Sequence, residues 1–359
     1  MKMLGTQALA AATLCFVGAA HAQEAPSWRF SGYGTLGAVA TDTDQVQYRS
    51  GVSQSHGADK TPDFGVDSRL GAQADYQFNP TFSAVAQVLA SRRNGSEGPR
   101  VEWLFGQAKL TDDLAARVGR MVLPVFLFSD TRNVGYSQHW LRAPAEVYAT
   151  YSSNSFDGAQ LQWRPSWNGV NFTAQVSAGE ATSRLYVGGL DTYLKMGHLR
   201  SINLVAESGN WTYRLGATTV KGRLTAAPFG LLSATRDNFM GAGVQFDDGV
   251  WLLLGEYTIR RQGDGAADSD GAYVSGGRRF GAWLPYVTLA SFKPKGPFYG
   301  NDPTGVTTAV GARWDVRPNV ALKTQFESLI PTAQGFLPGQ PTHSNERFHT
   351  LSVVADFVF

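Results

Sequence analysis

Cysteine is almost missing from this chain. The single one, Cys15, sits in the first apolar stretch, so the chain beyond it has no thiol chemistry, no thiolate metal site and no disulfide framework. An excess of one charge is missing too. The 31 Lys and Arg stand against 29 Asp and Glu, a balance that offers no basic field for nucleic acid. Charged residues as a whole make up 17%, against about a quarter in ordinary soluble chains. Past residue 22 no apolar run approaches the ~18 residues of a membrane helix. His56, His139, His198, His343 and His349 fall in separate expected connections or at their edges, with no short metal-ligand spacing.

Two motifs invite cofactor or metal chemistry, and both have plainer readings. Gly32-Tyr33-Gly34-Thr35-Leu36-Gly37 matches GxGxxG, but that fingerprint needs a helix directly after the turn, and no helical pattern follows. Glycine in a tightly curved strand explains it better. Asp264, Asp268 and Asp270 in GDGAADSD carry carboxylates suited to calcium, although a solvated loop needs nothing more. No cofactor and no resident metal are expected.

The front of the chain has an exporter's layout. Lys2 precedes an apolar run from Ala8 to Ala19, and Ala20-His21-Ala22 fits a small-x-small cleavage site. Residues 1–22 are therefore expected to be a cleaved signal peptide, with Leu14 before Cys15 unsuited to a lipoprotein box. Residues 23–359 are expected to form one domain. For an exported chain without an apolar helix, the one route across a bilayer is a closed β-barrel, in which every backbone group is paired between strands.

The pattern of such a barrel recurs. In residues 66–78, Val66, Leu70, Ala72, Ala74, Tyr76 and Phe78 alternate with Asp67, Arg69, Gln73, Asp75 and Gln77. Leu161 and Trp163 oppose Gln160, Gln162 and Arg164; Val170, Phe172, Ala174 and Val176 oppose Asn171, Thr173, Gln175 and Ser177. Val306, Val310, Ala312 and Trp314 oppose Thr307, Arg313 and Asp315, and at the end Leu351, Val353, Ala355, Phe357 and Phe359 oppose Ser352, Val354, Asp356 and Val358. Period two with one apolar face is a strand between lipid and water.

Connections alternate in length. Short turns occur at 79–81, 111–113, 168–169, 209–210, 247–249, 281 and 317–319. Long ones span about 41–64, 92–99, 122–157, 180–198, 222–238, 262–271, 293–304 and 331–345. Seven turns and eight loops join sixteen strands, an even number that lets the first and last strands pair. The stretch VYATYSS, 147–153, would make seventeen, so parity assigns it to the third loop; eighteen strands, with one more inside 185–196, is the alternative. The connection 122–157 begins MVLPVFLF, too apolar for solvent, and is expected to fold inward and narrow the lumen. Trp28, Phe78, Phe82, Trp167, Trp211, Phe246, Trp251, Phe280, Trp283, Phe357 and Phe359 fall near the short-turn ends, where an interfacial aromatic belt belongs.

With FSGYGTLGAVA (30–40), DSRLGAQADYQF (67–78), ARVGRMVLP (116–124) leading into the long third loop, and the aromatic terminus, the chain resembles Gram-negative outer-membrane porins. The resemblance implies an all-β, transmembrane antiparallel barrel of the cell outer membrane, seated in lipid and lipopolysaccharide. It also implies a homotrimer that passes small hydrophilic solutes by diffusion and is no enzyme. Phe357 and Phe359 would be the signal read by the barrel-assembly machinery. The acidic-aromatic third-loop motif of enterobacterial porins is absent. A substrate-selective channel, and from another class a non-conducting anchor, adhesin or barrel enzyme, are the competing readings. His349 and Ser352, a conceivable catalytic pair, have opposite parity.

On inward parity the wall carries Arg69, Arg117, Arg164, Arg214, Arg260, Arg313 and Lys323 against Asp67, Asp75, Glu207, Glu256, Asp315, Glu327 and Asp356. That is seven against seven, so selectivity is expected to rest on the narrowest ring. Candidates for that constriction are Arg117 and Arg120 on the strand before the third loop, with Asp130, Arg132, His139, Arg142 and Glu146 in it. The expected device is a transverse field between loop acids and wall arginines; the competing reading is that several of these only tie the loop to the wall.

Overall fold

The computed structural model describes residues 26–359 apart from 46, 94–97, 152, 188–189, 227–228, 298–303 and 331–346. The expected leader 1–22 and the expected loop 331–345 lie outside the described residues.

The strands are β1 (Ser27–Thr41), β2 (Arg69–Gln77), β3 (Phe82–Ser91), β4 (Pro99–Lys109), β5 (Leu114–Val122), β6 (Ser155–Trp163), β7 (Ser166–Trp167), β8 (Val170–Val187) and β9 (Leu190–Ser208). They continue with β10 (Trp211–Ala226), β11 (Gly230–Asp247), β12 (Trp251–Gln262), β13 (Ser269–Arg278), β14 (Trp283–Pro294), β15 (Gly305–Arg317), β16 (Val320–Ile330) and β17 (Phe348–Val358). All join one antiparallel sheet, and β1 closes it by pairing with β2 from Ser27 to Thr35 and with β17 from Tyr33 to Thr41. β6 and β7 both pair with β8. They are one wall strand broken at Pro165, which has no N–H to give to a ladder. Sixteen wall strands therefore close the ring, and of the stretch 185–196 the residues 185–187 lie in β8 and 190–196 in β9, with no additional strand among the described residues.

The tight turns are written into local chemistry. Asn168 and Gly169 have φ of 48° and 77°, the double left-handed conformation that lets a two-residue hairpin follow the sheet twist. At 79–82 the Asn79 side chain accepts the N–H groups of Thr81 and Phe82, and at 248–251 Asp248 does the same for Val250 and Trp251.

Outside, the barrel is apolar. Leu351 and Val353 are exposed, while Ser352 and Asp356 on the other parity are fully buried. Trp28, Phe78, Phe82, Trp167, Trp211, Trp251, Phe280, Trp283 and Phe359 are exposed at the short-turn end. Phe357 and Phe359 lie over the closing seam, where a Cβ on Gly34 would stand 2.3 Å from the Phe357 ring and one on Gly32 2.2 Å from that of Phe359. Glycine at these two positions gives the terminal rings their seat.

Two expected loops, 180–198 and 222–238, are mostly strand among their described residues. β8, β9, β10 and β11 run for 18, 19, 16 and 18 residues, where ~9–11 suffice to cross a bilayer. The alternation that marks a membrane strand is lost in their upper parts because the outward face there is polar: Arg184 pairs with Asp191, and Lys195 with Glu180.

Inside, one buried cluster joins Met121, Leu123, Val125, Phe126, Trp140, Val147, Tyr148 and Tyr151 to Phe239, Leu252, Leu254, Tyr273 and Tyr286 of the wall. A second joins Tyr48, Ala58 and Val66 of the first loop to Phe292, Leu329 and Phe348. The lumen is thus packed on one side by loop, with a polar wall elsewhere. A sixteen-stranded ring is wide enough for both.

Candidate functional site

The third loop, 123–154, enters the lumen because its first residues have no other place to go. Leu123, Val125 and Phe126 are each at most 2% exposed, and removing one such side chain from water is worth roughly 1.5–3 kcal/mol. Polar ties then fix its course. Arg214 donates to the Pro124 carbonyl at 2.7 Å, and Leu127 N donates to Glu256 at 2.8 Å. Further on, Lys323 Nζ donates to the carbonyls of Gly135 and Trp140 at 2.7 and 3.0 Å and pairs with Asp356 at 2.8 Å. Arg313 donates to the Tyr136 and Gln138 carbonyls at 2.6 and 2.7 Å. Tyr136 in turn donates to the carbonyl of Pro318, in a short turn, so the loop reaches far down the barrel.

The return limb is held by one buried cation. Arg142 donates to both oxygens of Asp67 at 3.0 and 2.6 Å, to Ser352 at 2.9 Å and to Glu327. Its guanidinium lies 4.7 Å from the centre of the Tyr48 ring, so the first loop covers it. Glu327 also accepts from Thr350, and Glu146, on the single turn α1 (Ala145–Tyr148), accepts from Thr307. Val147 and Tyr148 of VYATYSS therefore end this helical turn and the described residues after them follow in the loop, as parity required. The first loop is itself tied inward: Val39 exchanges backbone hydrogen bonds with Asp63. Burial works against the Asp63 charge, but Arg92 and the N–H groups of Gly65 and Val66 hold its carboxyl below the usual range.

The opposite wall carries guanidinium groups without that covering. Arg117 on β5 lies over the Phe105 ring and donates to Gln107 at 2.7 Å. Arg164, exposed at the turn end, and the exposed loop residue Asp130 share its electrostatic surroundings. Nearer Arg142, two residues past Asp67, Arg69 donates at 3.4 Å to the Thr35 hydroxyl that in turn donates to Asp356. Arg132 donates to the Tyr148 carbonyl at 3.0 Å and stacks on Phe126 and Tyr148.

The candidates from the sequence thus divide. Arg117, Asp130, Arg164 and, higher up, Arg69 and Arg132 face the lumen, whereas Arg142, Glu146, Arg214, Arg313, Lys323 and Glu327 fasten the loop to the wall. Arg120 belongs to neither group. Three residues from Arg117 on a strand it must point to the other face, and it pairs with Asp157 at 2.7 Å on the outside, next to the outward Leu104 and Val101. Its place among constriction residues is corrected. His139 is buried in the loop with Nε2 2.9 Å from Ser275 Oγ, which also contacts Thr288. Its ring packs on Trp140 and Tyr286, an arrangement that anchors the loop. His349 pairs with Asp42 on the outer face while Ser352 holds Arg142 inside, so those two do not meet. The carboxylate of Asp270 is taken by Arg261 and Lys295.

Sequence reading missed Arg93, Arg100, Glu102 and Tyr48. The stretch 92–99 reads as a loop, which hid that Arg93 continues the inward series Gln87, Leu89, Ser91.

No family model and no curated protein matches the chain. Among solved structures, an anion-selective porin from Comamonas acidovorans superposes with a TM-score of 0.64 at 13% identity, covering 93% of this chain and 100% of that one. Salmonella typhi OmpF, solved in complex with daunomycin, gives 0.61 at 15% identity over 92% and 97%. The trimer form of OmpT, an outer membrane protein of Vibrio cholerae, gives 0.58 at 14% identity over 94% and 100%. The chain has the fold of the outer-membrane porins.

Proposed function

We propose that this protein is an outer-membrane porin: a water-filled channel through which small hydrophilic solutes diffuse, narrowed by the third loop. The observation that carries this reading is the inward loop itself. It fills one side of a closed sixteen-strand ring and leaves a polar wall, with Arg117 and Arg164 facing the exposed Asp130. A structural anchor has no use for a polar lumen with charges of opposite sign set across it, whereas a passage for hydrated solutes does. On this reading Arg117, Asp130, Arg132 and Arg164 line the constriction. Residues 1–22 direct export, the barrel lies in the outer membrane of a Gram-negative bacterium, and Phe357 and Phe359 serve its assembly. The trimer form of one structural neighbour supports a homotrimer.

Liposome swelling tests it. Vesicles holding the folded protein are expected to swell quickly in small neutral sugars and progressively more slowly as the sugar grows. Protein that is folded and inserted but admits no sugar of any size would overturn the reading.

A further inference from the structure

The even count of wall charges conceals a separation. Five acids of the lumen are engaged beneath the loops, Asp67 and Glu327 by Arg142, Asp356 by Lys323, Glu256 by Leu127 N and Glu146 by Thr307, while Asp75, Glu207, Asp315 and Asp130 lie elsewhere on the passage. Arg69 stands beside them, donating to the Thr35 hydroxyl that is bonded to Asp356, and beyond it Arg93, Arg100 and Arg132 gather around one carboxylate. Arg100 Nε stands 3.4 Å from Glu102 Oε2, and Asn133 donates to the other Glu102 oxygen at 3.4 Å. Arg93 and Arg132 both lie within the field of Glu102, and Arg132 within those of Arg69 and Arg93. Three guanidinium groups thus share a single, already engaged carboxylate, with Arg69 next to Arg132.

Two donor nitrogens in this group have no acceptor. Arg100 Nε and Arg132 Nη1 are buried and make no hydrogen bond among the described residues; the Glu102 oxygen near the first lies outside hydrogen-bond geometry. Leaving such a nitrogen dry and unpaired costs free energy. The planar donor edge of a guanidinium fits an oxyanion with two parallel oxygens. Arg69 on β2, Arg93 just past β3 and Arg100 on β4 are carried by adjacent strands, and Arg132 approaches from the loop. The group is held by the fold rather than by a mobile tail.

We propose that Arg69, Arg93, Arg100 and Arg132 form an anion-binding station on the passage, and that the channel prefers small oxyanions, carboxylates or phosphates, over cations. This rests on the channel reading above and names its solute class. Arg117 and Arg164, towards the turn end, continue the positive wall past Asp130.

The test is the zero-current potential of the purified protein in a planar bilayer under a potassium chloride gradient, followed by titration with inorganic phosphate. Wild type is expected to favour chloride over potassium, and millimolar phosphate to interrupt its current. In Arg93→Gln/Arg100→Gln the permeability ratio should fall on the order of tenfold, since each charge about 7 Å from a passing ion contributes roughly RT even at the dielectric constant of water. Phosphate block should fall with it. A conducting wild type that favours potassium, or is indifferent to phosphate, overturns the station and leaves the channel standing, and so does a double variant that behaves as wild type. Absence of any conductance overturns the channel reading on which the station rests. The wild-type measurements decide even if the double variant does not fold.

Discussion

Replacing Arg142 with Gln is expected to free the return limb of the third loop. Asp67 and Glu327 are both almost fully buried, and each takes its counter-charge from this one guanidinium. Without it two carboxylates remain in a dry place facing one another, and removing one partner of a buried ion pair costs about 3–5 kcal/mol. The Tyr48 contact goes too, so the first loop loses its hold on the third. The folded barrel should survive, because its ladder of strand pairs does not pass through Arg142. Single-channel current should rise severalfold and grow noisy, and the folded form should convert to the unfolded one at a lower temperature in a gel-mobility assay. Adding Asp67→Asn and Glu327→Gln to the variant removes the stranded charges and should restore most of the stability. An Arg142→Gln channel with wild-type current would show that the loop is held mainly by its apolar entry at Leu123, Val125 and Phe126.

The second large effect separates two arginines three residues apart. Arg117→Glu puts a carboxylate on the lumen wall next to Asp130, and should move the zero-current potential strongly towards cation preference. Arg120→Glu changes a charge on the outer face, where Arg120 meets Asp157, and should leave the zero-current potential where it was. The contrast rests on strand parity alone. Equal shifts from both variants would contradict the register of β5 against β4 and β6.

Much of the barrel is legible in the amino-acid sequence alone. The period-two faces of 69–78, 170–178 and 351–359 lie as their alternation requires, because hydrocarbon outside and water inside impose opposite demands on neighbouring residues, whereas Val66, expected on the outward face, precedes the strand and is buried inside. Parity also places VYATYSS in the loop, a result no local propensity would give. The pattern fails where the outside is no longer hydrocarbon. In the upper parts of β8 to β11 the outward face is polar and the apolar residues, Ala181, Leu185, Met196 and Val220, turn inward, so Thr182, Arg184, Lys195 and Arg223 read as loop although they are strand.

The site is legible only in part. Inward parity finds Arg69, Arg117, Arg164 and Lys323 but cannot say which charges meet. That Arg142 takes both Asp67 and Glu327 depends on a loop crossing the lumen, and sequence separations of 75 and 185 residues leave no local trace of it. Arg120 is misplaced when it is grouped with Arg117 by nearness in sequence rather than by face. Tyr48 gives no signal, since its partners Ala58 and Arg142 are joined to it only by the fold.

The most direct measurement of the account is single-channel recording of the purified, folded protein in a planar bilayer. Discrete, long-lived conductance steps are expected if, as proposed, the closed sixteen-strand ring keeps a polar path beside Arg117 and Asp130. Protein that inserts stably, keeps its folded mobility and never conducts would contradict the claim that this barrel is a channel.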